Sequence, residues 1–160
     1  MHRILVTAFR STSAELLLRG ISDWDVLLLP SDKVLDSEKL ISTLSNRNYD
    51  SIISIGQRPN IKDKVHIETI AREGPLSIGT TFDCDMLVRL FEDAEIQAKL
   101  SCNAGTSYCN CLYFNGLRYL REKQPEGQMV FVHVPFQKNI TDFERFRRQF
   151  LRVIACIQNQ

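Results

Sequence analysis

Residues 99–120, KLSCNAGTSYCNCLYFNGLRYL, decide how this chain is read. Lys99-Leu100-Ser101-Cys102 has the look of a short strand, and Asn103-Ala104-Gly105-Thr106 is a turn of small polar residues. From there Cys109, Leu112, Tyr113, Gly116, Leu117 and Leu120 recur at helical spacing on one face. A strand, a tight turn and a helix are half of a repeating β/α pattern, and the flanking sequence continues it in both directions.

Upstream, Ile4-Leu5-Val6 is the first strand, and Ser11, Thr12 and Ser13 offer caps for a short helix through Leu16, Leu17 and Leu18. Val26-Leu27-Leu28-Leu29, closed by Pro30, is a continuous apolar run that predicts a strand buried on both faces. A helix carrying Leu40, Ile41 and Leu44 follows, then the strand Ile52-Ile53-Ser54-Ile55, which ends at Gly56-Gln57. Val65 to Ile70 alternates like a strand until Gly74-Pro75 breaks it, and Asp83 is placed to cap a helix carrying Met86, Leu87, Leu90 and Phe91. Downstream, Met129-Val130-Phe131-Val132 is a strand that delivers His133 at its carboxyl end. Thr141-Asp142-Phe143-Glu144 has the form of a capping box opening the last helix. The apolar stripe of that helix is Phe143, Phe146, Phe150, Val153, Ile154 and Ile157. The expected architecture is α/β: a three-layer α/β/α sandwich around a mostly parallel twisted sheet, with residues 1–160 as one domain.

Composition narrows the function. Hydrophobic residues make up 44% and charged residues 24%, an ordinary globular balance, and the formal net charge of +1 steers the chain toward neither nucleic acid nor an anionic membrane. Arg145, Arg147, Arg148 and Arg152 crowd one side of the last helix without interleaved aromatics, so they read as a solvated face. No apolar run approaches the roughly 20 residues of a membrane span. The first residues look like a strand rather than a secretion signal, so a cytoplasmic location is expected. The cysteines number five, an odd count with no CxxC pair, and only three histidines are present; neither a disulfide framework nor a metal site is expected. Both a monomer and a homo-oligomer fit this composition.

Ligands of open α/β sheets bind beyond the carboxyl ends of the strands. Gly56-Gln57, the Asn103–Cys109 turn and His133 all lie at such ends. A cysteine at a helix start meets unpaired backbone N–H groups and the positive end of the helix dipole, both of which favour thiolate over thiol. The same N–H groups can hold an oxyanion, and a histidine from a nearby strand end can act as general base and acid. From spacing alone, a core cysteine and a structural histidine are the better account of these residues.

The segment Ser101 to Asn110 resembles the nucleophile segment of the pyroglutamyl peptidase I family, approximately S-x-x-A-G-x-x-x-C-N. Phe131-Val132-His133-Val134-Pro135 resembles the family's F-[IV]-H-[IV]-P segment. Ile53-Ser54-Ile55-Gly56-Gln57, Val6-Thr7-Ala8-Phe9 and Glu73-Gly74-Pro75 are similar to three further elements, so the likeness runs in order along nearly the whole chain. The resemblance implies a cysteine peptidase that removes N-terminal pyroglutamyl groups from small peptides without a cofactor. It implies Cys109 as nucleophile, His133 as base and acid, and Phe9, Gln57 and Tyr108 around the substrate. The family's third residue is a glutamate that orients the histidine. Ile67-Glu68-Thr69-Ile70-Ala71 offers Glu68, while a second alignment through Arg58-Pro59-Asn60-Ile61 puts Lys64 there instead. Glu68 is preferred because a carboxylate holds an imidazole tautomer and an ammonium does not.

The chain also departs from the family. Phe9 is followed by Arg10-Ser11-Thr12-Ser13 where the family continues into P-F-G-G, so the second aromatic wall of the lactam pocket has no counterpart. The connection bearing the family's D-x-R-x-P-D segment is missing between Ala71 and Glu73, and no residue can be matched to its arginine. A related thiol amidase or esterase acting on another substrate, or an inactive homologue that binds a ligand or partner, are the alternatives these departures raise.

Overall fold

The computed structural model describes residues 1–160. The elements in chain order are β1 (Ile4–Phe9), α1 (Ser13–Leu18), β2 (Asp25–Leu29), α2 (Lys33–Asn46), β3 (Ser51–Arg58), β4 (Lys64–Glu68), β5 (Ile70–Glu73) and β6 (Leu76–Gly79). They continue with α3 (Cys84–Asp93), β7 (Gln97–Ser101), α4 (Tyr108–Lys123), β8 (Gln128–Pro135) and α5 (Phe143–Gln158). Six strands form one sheet in the order β2-β1-β3-β8-β4-β7. All neighbouring pairs are parallel except β8 and β4, so β4 and β7 run against the other four strands.

Alternation along the strands sorts the core into two layers. Ile4, Val6, Ala8, Ile53, Ile55, Val65, Ile67, Val130 and Val132 point to one face, which the apolar stripes of α3 and α5 cover. Leu5, Phe9, Ile52, Met129 and Phe131 point to the other, where Leu40 and Leu44 of α2 and Leu112, Tyr113 and Leu117 of α4 pack. On α5, Phe146, Phe150, Val153, Ile154 and Ile157 are buried. Full burial of each such side chain contributes about 1.5–3 kcal/mol, far more than the arginine face opposite can add. Of those arginines, Arg145 pairs with Glu95 on the surface and Arg147 donates from Nε to the Leu17 carbonyl.

Two expectations are corrected. β2 lies at the sheet edge with β1 as its only strand neighbour, so Val26, Leu27 and Leu28 are half-buried and only Leu29 is fully enclosed. An apolar run shows that a strand is hydrophobic but not whether a second neighbour covers it. Gly74-Pro75 breaks the strand where expected, turning the antiparallel hairpin of β5 and β6, with Gly74 at φ +55° in the left-handed region. The helix comes later, capped by Asp83, whose carboxylate accepts from the Met86 N–H. Finally, the cap of α5 is Asp142, which accepts from Arg145 N at 3.0 Å, and not Thr141. Thr141 is engaged elsewhere, donating through both its backbone N and its hydroxyl to Asp63.

Candidate active site

Because side chains alternate along a strand, Gly56 and Arg58 of β3, Phe131 and His133 of β8, and His66 and Glu68 of β4 all rise from the face that α4 covers. The register sets them side by side: Gly56 pairs with His133, His133 with His66, and Phe131 with Glu68. The antiparallel junction is what makes this row. A parallel β4 would carry Glu68 toward the far rim, whereas here it lies one step deeper than His133, under the imidazole.

His133 is buried, and its Nδ1 is 2.8 Å from Glu68 Oε1. The same oxygen accepts from Arg58 Nη1 at 3.0 Å. Glu68 is fully enclosed, so its charge is held by two donors on one oxygen rather than by water. The Tyr113 hydroxyl fixes the backbone below by donating to the Glu68 carbonyl at 2.8 Å. The Phe131 ring backs the imidazole at a centroid distance of 4.9 Å. An imidazole gripped at Nδ1 has its Nε2 left to exchange protons with the cleft. Lys64, the alternative to Glu68, stands at the opposite end of β4, paired with Gln97 of β7.

Cys109 is the second residue of α4, after Ser107 as cap, and the Ser107 side chain makes no capping bond. The N–H groups of the first helical turn therefore keep their donor capacity. Gly105, at φ +87°, and the Asn103 side chain, which accepts from Gly105 N at 3.1 Å, shape the preceding turn. The thiol rests on the sheet at Gly56: a Cβ there would stand 2.8 Å from Cys109 Sγ and 2.8 Å from Phe131 Cζ. Only a glycine leaves room for the sulfur directly beside the strand that carries His133. Gly56→Ala is thus expected to destabilise the fold by about 1–3 kcal/mol, since the Phe131 ring is locked in the core. It should also lower turnover by an order of magnitude or more through displacement of Sγ. Thermal unfolding and initial rates measured on the same preparation check both, and a variant unchanged in either removes the close approach as the reason for glycine.

Helix-terminus N–H groups do not make a resting thiolate, and that expectation is corrected. Burial pushes the Cys109 thiol up to about 12, outweighing the lowering by its own backbone N–H. The nearby Glu68 charge raises it further, and Arg58 opposes that. The resting group is a thiol, so any use of it as a nucleophile would need a proton acceptor beside it.

A cleft of about 640 Å³ opens above this row, and Phe9, Gln57, Tyr108, Cys109 and His133 all line it. Phe9 is buried against Phe131 at a centroid distance of 6.4 Å, while Tyr108 stands at the rim, 43% exposed. Gln57 Oε1 accepts from Ser13 N at 3.0 Å, which anchors the side chain and leaves its NH2 as the free donor. Glu68 does not line the cleft; it acts from beneath. No group of three or more His, Cys, Asp or Glu side chains is placed to share a metal ion.

Arg58 is the residue that sequence reasoning missed. It lines the cleft and holds Glu68, so a cation stands in the site although no residue matched the family's arginine by sequence. Its signal was modest: position 58 shares the period-2 face of Gly56. Asn110, next to the cysteine, clamps the hairpin to α4: its side chain accepts from Arg72 N at 3.0 Å and donates to Arg72 O at 2.7 Å.

A sequence model of the family described as pyroglutamyl peptidase matches residues 58–145, more than half of the chain. A pyrrolidone-carboxylate peptidase of Brevibacillus brevis is 32% identical over 79 residues, which are 49% of this chain and 37% of that one. Pyrrolidone-carboxylate peptidase 1 of Caldanaerobacter subterraneus is 24% identical over 132 residues, 69% of this chain and 64% of that one. The chain thus matches less than two thirds of the length of these two relatives. Among solved structures, the pyrrolidone carboxyl peptidase of Fervidobacterium islandicum superposes with a TM-score of 0.87 at 16% identity, covering 99% of both chains. Pyroglutamyl peptidase I of Bacillus amyloliquefaciens gives 0.84 at 18% identity, covering 99% of this chain and 95% of that one. At such identities these structures speak for the fold, a mostly parallel sheet with helices on both sides. The family itself is given by the sequence match across residues 58–145: the chain belongs to the pyroglutamyl peptidase family.

Proposed function

We propose that this chain is a cysteine peptidase that removes N-terminal pyroglutamyl groups from small peptides. The observation that carries the reading is the thiol of Cys109 seated on Gly56, whose register partner His133 is held at Nδ1 by Glu68. His133 Nε2 takes the proton as Cys109 Sγ attacks the pyroglutamyl carbonyl, so the thiol, despite its high resting pKa, need not ionise in a separate step. The backbone N–H of Cys109 faces the developing oxyanion. Collapse of the tetrahedral intermediate breaks the C–N bond, and His133 returns its proton to the departing amine. Water, deprotonated by His133, then cleaves the thioester and frees pyroglutamate. Glu68 holds the tautomer, and Arg58 holds the Glu68 carboxylate in place. Phe9 and Tyr108 flank the lactam, and the free Gln57 NH2 donates to its ring carbonyl.

This chemistry calls for no cofactor, and a peptide in the cytoplasm is a suitable substrate. No helix is long and apolar enough to cross a membrane. The one-domain reading of residues 1–160 rests on the single main sheet, to which strands from both halves of the chain contribute.

The test is release of a coumarylamine from its pyroglutamyl amide. With the second phenylalanine and the long connection absent, the amide is expected to turn over about 10²-fold more slowly than with the Bacillus amyloliquefaciens relative assayed in parallel. An activated pyroglutamyl ester is expected to turn over faster than the amide, because its leaving group needs less protonation. Hydrolysis of neither substrate overturns the peptidase reading. Labelling of Cys109 without turnover of either leaves a ligand-binding homologue.

A further inference from the structure

The charge around the cleft does not suit a neutral substrate alone. Two arginines, Arg10 and Arg58, line it, and no aspartate or glutamate does. Arg58 is engaged with Glu68 through Nη1. Arg10 is exposed at the end of β1, fixed by its backbone N–H donating to the Leu29 carbonyl at 2.8 Å, and its guanidinium makes no ion pair within the chain. The carboxylates around the cleft wall are already committed, Asp36 among them through the Ser31 N–H at 3.0 Å. Glu68 is buried with two donors on one oxygen, and Glu15 accepts from the Ser11 N–H at 2.6 Å. The chain as a whole carries only +1, so this cationic mouth is a local feature rather than the overflow of a basic protein. Low-dielectric walls, here Phe9, Pro30 and Phe136, focus such a field into the opening.

We propose that Arg10, with Arg58 behind it, selects substrates whose departing portion carries a carboxylate close to the scissile bond: pyroglutamyl peptides with an acidic second residue. The assignment rests on the peptidase reading for the identity of the acyl group but not for the charge preference. A guanidinium at the mouth and an acidic side chain meet as a hydrogen-bonded ion pair, bidentate where the fork can face the carboxylate. The acyl pocket keeps its neutral donor, Gln57, so the carboxylate engages the leaving side.

Two measurements test this. The first compares alkylation of Cys109 by iodoacetate and by iodoacetamide, in which Sγ displaces iodide from reagents of almost equal size, one anionic and one neutral. Normalised to a free small thiol, the iodoacetate-to-iodoacetamide ratio at Cys109 should be raised about 3–10-fold at low salt. It should fall back toward 1 in Arg10→Glu and at molar salt, where the screening length is about 3 Å. A normalised ratio near 1 in the unsubstituted protein, a ratio indifferent to Arg10→Glu, or a Cys109 that neither reagent reaches overturns the proposal. The second compares kcat/KM for pyroglutamyl-glutamate amide and pyroglutamyl-glutamine amide. The glutamate peptide should be preferred about 3–10-fold, and Arg10→Glu should reverse the order. Equal turnover of the two peptides overturns the charge preference while leaving the peptidase intact. A charge-selective Cys109 with no turnover of either peptide overturns the peptidase reading and leaves the cationic mouth standing.

Discussion

Cys109→Ala and His133→Ala are each expected to lower kcat/KM for a pyroglutamyl substrate by about 10⁴-fold or more, and the double variant by no more than the worse single one. The reason lies in how the two groups depend on each other. The half-buried thiol is pushed up to about 12, so without an acceptor at hand almost no thiolate exists at neutral pH. Without the sulfur, the imidazole has no nucleophile to serve. Groups that act in one step lose their effect together, which is why the second substitution should add little. The Cys109→Ala protein should keep its fold, because the side chain is small and half-buried. His133→Ala opens a hole beside the Phe131 ring and leaves Glu68 with Arg58 alone, so its unfolding has to be followed in parallel. A His133→Gln variant fills the same space and separates lost chemistry from lost packing. Full additivity, or a His133 variant of wild-type rate and intact fold, would remove the coupled proton transfer.

Glu68→Gln is expected to lower kcat by about 10²–10⁴-fold with little change in KM, because the amide keeps the shape and loses the charge. One carboxylate oxygen serves both His133 and Arg58, while Oε2 is buried with no partner. A glutamine can keep its carbonyl at the first position and place its NH2 at the second, where nothing accepts from it. The imidazole then stays oriented, but the cation that forms on it during attack faces a neutral amide with Arg58 close by. That penalty falls on the transition state rather than on substrate binding. Giving Arg58 a neutral carbonyl in place of its charged partner also costs stability, by about 1–3 kcal/mol in a mostly buried setting. Steady-state kinetics with a thermal unfolding curve check both. A glutamine variant of unchanged kcat would make Glu68 a structural carboxylate only.

Much of the architecture was legible because strands and helices write their periods into the chain. The run Ile52 to Ile55 and the stripe of α5 predict their elements from local pattern, and every helix start with a side-chain cap was marked by a Thr or Asp. Pattern could not say how many neighbours a strand has, so β2 read as enclosed when it is an edge. Nor could it say which of two adjacent polar residues caps α5, because Asp63, far away in sequence, claims Thr141.

The candidate site divides along the same line. Sequence by itself determined that Cys109 begins a helix after a small-residue turn and that His133 ends a strand, since both are local facts, and the family resemblance singled them out. Between Glu68 and Lys64 it left two alignments, and a preference for chemistry over register had to stand in for evidence of distance. Only the tertiary structure decided that β4 runs against β8, which sets Glu68 beneath the imidazole and carries Lys64 to the other end of its strand. It alone brought Arg58 to the same oxygen and the Cys109 sulfur onto Gly56. It alone showed that the helix terminus does not outweigh burial at the thiol. Strand direction, shared hydrogen-bond acceptors and desolvation are properties of what surrounds a residue, and those surroundings come from parts of the chain far away in sequence.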